Sequence, residues 1–334
     1  MAQPDTFKQK NVFAAFSYFR QAAIGTPLGS DDLTMRLPLP RDAKPLPTRR
    51  VTREETRDCT GRFLMGRRLT SRLALWSLRM DATAELTAWL LGLAFGDAGE
   101  PAGTGPSTHQ ITRLVSDQLP ATSFLIGAED SDEPAELYSD MVLNTLDIEA
   151  TVRGKVSLAA SFVGNADVDI VADYEPPACA NILPVYAEDC ALVIGGTDYT
   201  EHLRSFRYNR NNGLYSNDDP FPFDAVDLVR LERGNDASGF QLVVYGTKAH
   251  PLYAQAAAEN TLALSLRIGS AAEGTSIIAA GAQLTLQDAP VGYAGEASRS
   301  VINLDATPVS VGGAAPDRVT FVGALDDRLL TVPA

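Results

Sequence analysis

The strictest alternation in the chain falls between Val142 and Phe162. Val142, Leu146, Ile148, Ala150 and Val152 share one parity, with Asn144 as the polar exception, and Thr145, Asp147, Glu149, Thr151 and Arg153 share the other. After a turn at Gly154, Val156, Leu158, Ala160 and Phe162 alternate with Lys155, Ser157, Ala159 and Ser161. Period two on both arms predicts a hairpin with one buried and one wet face. The wet face is polar and rich in small residues. Leu262, Leu264, Leu266 and Ile268 repeat the pattern against Thr261, Ala263, Ser265 and Arg267. Further strands are predicted at 33–40 (short), 62–80 (a strand or hairpin), 121–128, 190–195, 202–210, 239–246, 276–288 and 298–309.

One segment carries a helical period. Leu86, Trp89, Leu90 and Leu93 fall at i, i+3, i+4 and i+7, which predicts an amphipathic helix over 82–95. Asp81 is its expected N-cap and Gly96 its C-terminal glycine. A second, short helix is expected to start at Pro251, proline being favoured at the first helical position. Residues 38–57 hold Pro38, Pro40, Pro45 and Pro47 with Arg41, Lys44, Arg49, Arg50, Arg53 and Arg57, which reads as a basic extended loop or arm. Residues 97–108, 129–136 and 211–224 read as loops. The acidic 129–136 lacks the glycine and terminal glutamate of an EF-hand, which favours a solvated loop over a calcium site.

The order of elements repeats. Strand, long polar loop, strand, helix and several strands occur twice, around the helices near 82–95 and 251–258. The expected organisation is a first β domain over 1–165 with an N-terminal arm, a linker over 166–189 and a second β domain over 190–334. One irregular β domain is the other reading, because identity between the halves is negligible.

Charge is uneven. The net charge is -14, yet residues 1–82 carry 15 Lys and Arg against 8 Asp and Glu, and the rest carries 13 against 34. So acidic a chain repels nucleic acid, which argues against tight DNA binding. Either the basic segment of one copy docks on an acidic face of another, or both are solvated surfaces. The longest apolar run, Leu86–Phe95, is too short to span a bilayer, and residues 1–5 do not read as a secretory signal. Cys59, Cys179 and Cys190 are an odd, scattered set without zinc spacing, as expected of a chain folded in a reducing compartment. His109, His202 and His250 offer little for metal or acid–base chemistry, and nucleophile-elbow, P-loop and dinucleotide motifs are absent. No cofactor is expected. Carboxylate pairs such as Asp218-Asp219 and Asp326-Asp327 sit in turn-like surroundings, and a glycosidase needs no sequence motif for its two acids.

Several stretches taken in order resemble the tail tube proteins of long-tailed bacteriophages, over roughly residues 10–310. They are Gly25-Thr26-Pro27-Leu28, then Asp58-Cys59-Thr60-Gly61, and the helix Ala84-Glu85-Leu86 with Leu90, Gly92 and Gly96. The hairpin Leu143–Gly164 and Phe206-Arg207-Tyr208-Asn209-Arg210-Asn211-Asn212-Gly213-Leu214 complete the set. Residues 36–57 are more arginine-rich than the family pattern.

The resemblance implies a mainly β fold, a tube-type sandwich or barrel with short flanking helices, here as two tandem tube-like folds. It implies a non-enzymatic virion tail protein, assembled in the host cytoplasm, whose rings stack into the tube through which DNA is ejected. Implied partners are the chain itself, a tape measure protein, a tail terminator and tail tip proteins, with DNA passing without tight binding. A true duplication makes the ring a pseudo-sixfold trimer; otherwise it is a hexamer. Asp147, Glu149 and Thr151, with Gln283, Thr285 and Gln287 as second-half counterparts, are expected to face the channel, though polar alternation does not name its side. Arg41, Lys44, Arg49, Arg50, Arg53 and Arg57 are expected to bridge subunits or rings, meeting acidic loops such as 129–136. The competing readings are a tail terminator or capsid decoration protein, and a carbohydrate-active β enzyme.

Overall fold

The computed structural model describes residues 12–39, 47–57, 64–96, 101–102, 107–112, 119–128, 134–165, 168–172, 174–178, 183–214, 236–294, 299–323 and 330–333. The first set of elements is β1 (Val12–Phe16), β2 (Met35–Arg36), β3 (Thr48–Arg57), β4 (Leu64–Asp81), α1 (Ala84–Phe95), β5 (Pro101–Ala102) and β6 (Ser107–Thr112). It continues with β7 (Ala121–Ala128), β8 (Ala135–Thr151), β9 (Ser157–Asn165) and β10 (Val168–Val171). The second set is β11 (Ala191–Ile194), β12 (Thr197–Asp198), β13 (Leu203–Asn211), β14 (Ala237–Tyr245), α2 (Pro251–Ala257), β15 (Thr261–Gly269), β16 (Gly274–Ala294), β17 (Arg299–Pro308) and β18 (Asp317–Gly323). The protein is mainly β, and every pairing is antiparallel.

The pairings form two matching sets. In the first, β1 pairs with β2 and β7, β4 with β3 and β9, and β8 with β7, β9 and β10. In the second, β11 pairs with β12 and β15, β14 with β13 and β17, and β16 with β15, β17 and β18. Two further pairings, β8 with β13 and β6 with β18, carry the sheet from one set to the other.

The helix over 82–95 differs from expectation in two ways. Thr83, not Asp81, is the N-cap: its Oγ1 accepts from the Leu86 amide at 3.2 Å. Asp81 still belongs to β4 and pairs with Lys155. Nor is the helix amphipathic. Every residue from Ala84 to Phe95 except Glu85 is buried, because strands cover it on all sides. Trp89 meets Phe16 at 4.7 Å between ring centroids, and Trp76, Phe124 and Phe162 extend the cluster. Gly96 ends the helix in the left-handed region, φ 97°. A Cβ on Gly92 would come within 2.7 Å of Leu330, so this glycine lets the C-terminal segment lie against the helix.

The stretch 38–57 is only partly a loop. All four prolines precede Thr48, and from there β3 runs alongside β4 to Arg57. Thr48, Val51, Thr52 and Thr56 are β-branched, and no proline interrupts the ladder. The expected linker over 166–189 contributes β10, and the N-terminal region contributes β1. β6 and β18 lie where no strand was expected.

Gly25-Thr26-Pro27-Leu28 fastens the kink in β8. Asp140 sits there at φ 57° and its buried Oδ1 accepts from the Gly25 amide at 2.8 Å. The Leu28 amide bonds Ser123 Oγ at 3.0 Å and its side chain is buried.

Candidate functional site

Eight strands lie side by side in the order β3, β4, β9, β8, β13, β14, β17, β16. We call them the inner sheet. Directly opposed residues place their side chains on the same face. One row can therefore be followed strand to strand: Asp81, Ser157, Glu149, Arg207, Gln241, Asp305, Thr285. A neighbouring stretch of the same face reads Arg79, Ala159, Asp147, Asn209. The opposite face is the core: Ile148, Tyr208, Phe240, Ala306 and Leu284 align there and are all buried.

The six residues expected to share a polar face are thus brought onto one wall. Asp147, Glu149 and Thr151 lie on β8. Gln283, Thr285 and Gln287 lie on β16, with Gln287 Nε2 donating to Asp305 Oδ1 at 2.9 Å. Glu149 and Thr285 fall in one row although 136 positions separate them. The structure adds what alternation could not: counter-ions. Arg207 reaches Asp147 from the next strand at 2.9 Å, Lys155 meets Asp81 at 2.6 Å, and Arg79 approaches Glu149 at 3.7 Å. These pairs are solvated and each is worth at most about 1 kcal/mol. Their consequence, among the described side chains, is a wall whose charges alternate in sign, without a continuous cationic track for phosphates.

Arg41 and Lys44 lie outside the described residues. Arg49 makes an ion pair with Glu136 at 3.1 Å and donates to Tyr138 Oη at 3.4 Å, with its guanidinium over the Tyr138 ring. Its acidic partner within the chain is therefore the last residue of the expected acidic loop; 129–133 lie outside the described residues. Arg50, Arg53 and Arg57 stand on β3, across from Leu73, Leu69 and Leu64 of β4.

One buried group escaped the sequence reading. Arg210 alternates with Phe206 and Tyr208 on the apolar face of β13, and its side chain is fully buried. It meets Asp236 at 2.7 Å and Asp317 at 3.7 Å, and its Nε donates to the Ala94 carbonyl at 3.2 Å. Tyr208 and Ser238 hydroxyls both donate to Asp317, at 3.1 and 2.7 Å. Burial, and next the Asp317 charge, hold the Tyr208 hydroxyl protonated far above the ordinary range. An arginine at a core parity was the available signal. The network ties α1 to β13, β14 and β18 and takes no part in the polar wall.

No curated protein matches the chain. The family model described as phage tail tube protein matches residues 14–321, nearly the whole length. A long antiparallel wall with a dry side and a wet side is the part such a conduit requires, and the chain belongs to the phage tail tube protein family, a structural component of the virion tail.

Proposed function

We propose that three copies of this chain close into a ring with pseudo-sixfold symmetry, and that stacked rings enclose a channel lined by the polar wall. Supporting this most directly is the matching of the two pairing sets: each contributes four inner strands, β3-β4-β9-β8 and then β13-β14-β17-β16. The sets are read as tandem tube-like folds over 1–165 and 190–334, with 166–189 between them carrying β10 of the first set.

Size favours three copies. About 24 strands spaced ~4.8 Å apart and tilted ~40° make a wall roughly 50 Å across at the backbone. Side chains reduce that to a bore of roughly 40 Å, wide enough for duplex DNA. Two copies would give a barrel of about 16 strands, the porin class, which leaves only a narrow aqueous channel.

In this reading Asp147, Glu149, Thr151, Gln283, Thr285 and Gln287 face the bore. A wall of small, neutral or internally paired groups offers phosphates few attractive sites, so DNA passes without tight binding. The β3–β4 hairpin and the proline-rich stretch before it bridge to a neighbouring subunit or ring through Arg41, Lys44, Arg49, Arg50, Arg53 and Arg57. Ring faces are heterologous, so stacking propagates until other tail proteins stop it. Those partners are a tape measure protein in the bore, a terminator at one end and tip proteins at the other.

The test is the mass of one isolated ring under native conditions, with electron microscopy of the same material. Stacked tubes whose rings weigh three times 35.7 kDa support the proposal. Rings of six chains refute the trimer. A monomer that never polymerises refutes the tube.

A further inference from the structure

We infer that the seam between copies is a one-layer joint: the free edge of β16 in one chain pairs antiparallel with the free edge of β3 in the next, and the edge of β10 beside it stays open. The inference rests on the ring reading above and goes further, naming the strands, the register and the missing layer.

The template is the joint inside the chain. β8 and β13 pair over seven positions, from Thr151 and Ser205 to Thr145 and Asn211. Both ends are fastened. The Val152 amide bonds the Arg204 carbonyl at 2.7 Å, and Asn212 Nδ2 bonds the Leu143 carbonyl at 2.9 Å. Arg207 and Asp147 pair across the middle. This joint has a second layer, because β6 and β18 pair over six positions.

β16 holds the place of β8. Two triples fix the correspondence: Ala121, Val142 and Val163 pair in line, and so do Thr261, Gln283 and Thr307. Past that point β8 gives its second edge to β13. β16 gives its second edge to no strand beyond Gln283, among the described residues. β3 holds the place of β13 and, among the described residues, pairs with β4 alone. The eight inner strands alternate in direction, so β3 and β16 run oppositely and copies meet antiparallel, like every other pair in the sheet. An edge that finds the complementary edge of an identical chain closes the ring and removes an aggregation hazard.

The register follows. Thr48 pairs with Leu75, which pairs with Val163. Asn209 pairs with Gly239, one residue before Phe240, which faces Ala306; that step puts Gly239 beside Thr307. Thr48 therefore matches Asn209, the partner of Asp147. Asp147 lies four paired steps past Val142, because the ladder with β9 skips Asn144, and four steps past Gln283 the matching residue of β16 is Gln287. Thr48 of one copy stands across from Gln287 of another.

Among the described residues the outer layer has no equivalent. β6 lies in the stretch between α1 and β7, whereas only Ala258, Glu259 and Asn260 separate α2 from β15. β10, in the place of β18, pairs among the described residues with β8 only, and its Ile170 is 62% exposed. Strong two-layer seams inside chains thus alternate with one-layer seams between them.

The experiment introduces Thr48→Cys and Gln287→Cys into the full chain, polymerises it and treats the tubes with a short bis-maleimide. The expected result is a covalent ladder that stops at three chains and is absent from either single variant. Hydrogen exchange on wild-type tubes should slow about tenfold or more at 48–50 and 285–287 relative to unassembled chain, with 168–171 unchanged. Tubes that form without the ladder, or that protect 168–171 and leave 48–50 fast, overturn the joint while the tube stands. A ladder reaching six chains supports the joint and refutes the trimer. Wild-type chain that never forms rings overturns both.

Discussion

The guanidinium of Arg210 lies 4.3 Å from the ring centre of Phe95, the last residue of α1. A strand of the second set thus holds the end of the first set's helix by a cation–π contact and a hydrogen bond to Ala94. Removing one partner from a buried ionic network strands the others in low dielectric, which typically costs about 3–5 kcal/mol. Arg210→Ala should lower unfolding stability by that order in urea titrations of unassembled chain. A loss below about 1 kcal/mol would mean that water enters and solvates Asp236 and Asp317.

The polar wall predicts a different kind of defect. Asp147 and Glu149 are solvated, so Asp147→Arg with Glu149→Arg, which removes two surface pairs and sets an arginine opposite Arg207, should cost the monomer about 2 kcal/mol. Tubes should still form. A cationic bore binds phosphate, so particles carrying the variant should eject DNA slowly and lose infectivity in a salt-dependent way. Normal ejection kinetics would place this face outside the channel.

The basic hairpin separates into two tests. Arg49→Glu breaks a pair within the chain, and the added swap Glu136→Arg should restore stability to within a few tenths of a kcal/mol. Arg50→Glu with Arg53→Glu should leave the monomer intact and impair tube assembly. Tube length and yield after polymerisation measure it, and unchanged values would remove these arginines from the interface.

His250 gives an acid-sensitive cap. Its Nδ1 accepts from the Leu252 amide at 3.3 Å, which a protonated imidazole cannot do. Burial, and then the neighbouring His202 charge, lower its pKa below the ordinary 6.5. The unfolded chain therefore takes up the proton first. The cap's stability is present above about pH 6.5 and is lost as pH falls through the lower, folded value. His250→Asn keeps an N-cap acceptor without titrating and should flatten the fall in melting temperature between about pH 7 and pH 5. An equal fall in wild type and variant would assign the acid sensitivity elsewhere.

Much of the fold was legible because it is local. Thr145–Phe162 alternates with period two, and so most of the hairpin of β8 and β9 and its wet face follow from the residues alone; the bulge at Asn144 was not legible, and it turns Val142 to the face of Thr145 and Asp147 instead of that of Leu146 and Ile148. Gly96 ends the helix because φ 97° suits a residue without Cβ. The helix surroundings were not legible. Leu86, Trp89, Leu90 and Leu93 describe one stripe, and only the strands packed on the opposite side bury Leu91 and Ala94 as well. Counting prolines over 38–57 hid β3, because proline forbids a ladder only where it stands.

The two wet faces and the family are written in neighbouring residues or in their order, and so is strand parity except where the bulge at Asn144 breaks it. Folding in space settles that Glu149 and Thr285 share a row, that Arg207 neutralises Asp147, and that Arg210 is buried with two aspartates. Pairing between distant strands sets those relations. Antiparallel register depends on which edges meet and where a bulge shifts them, and neither is encoded in any short window of the chain.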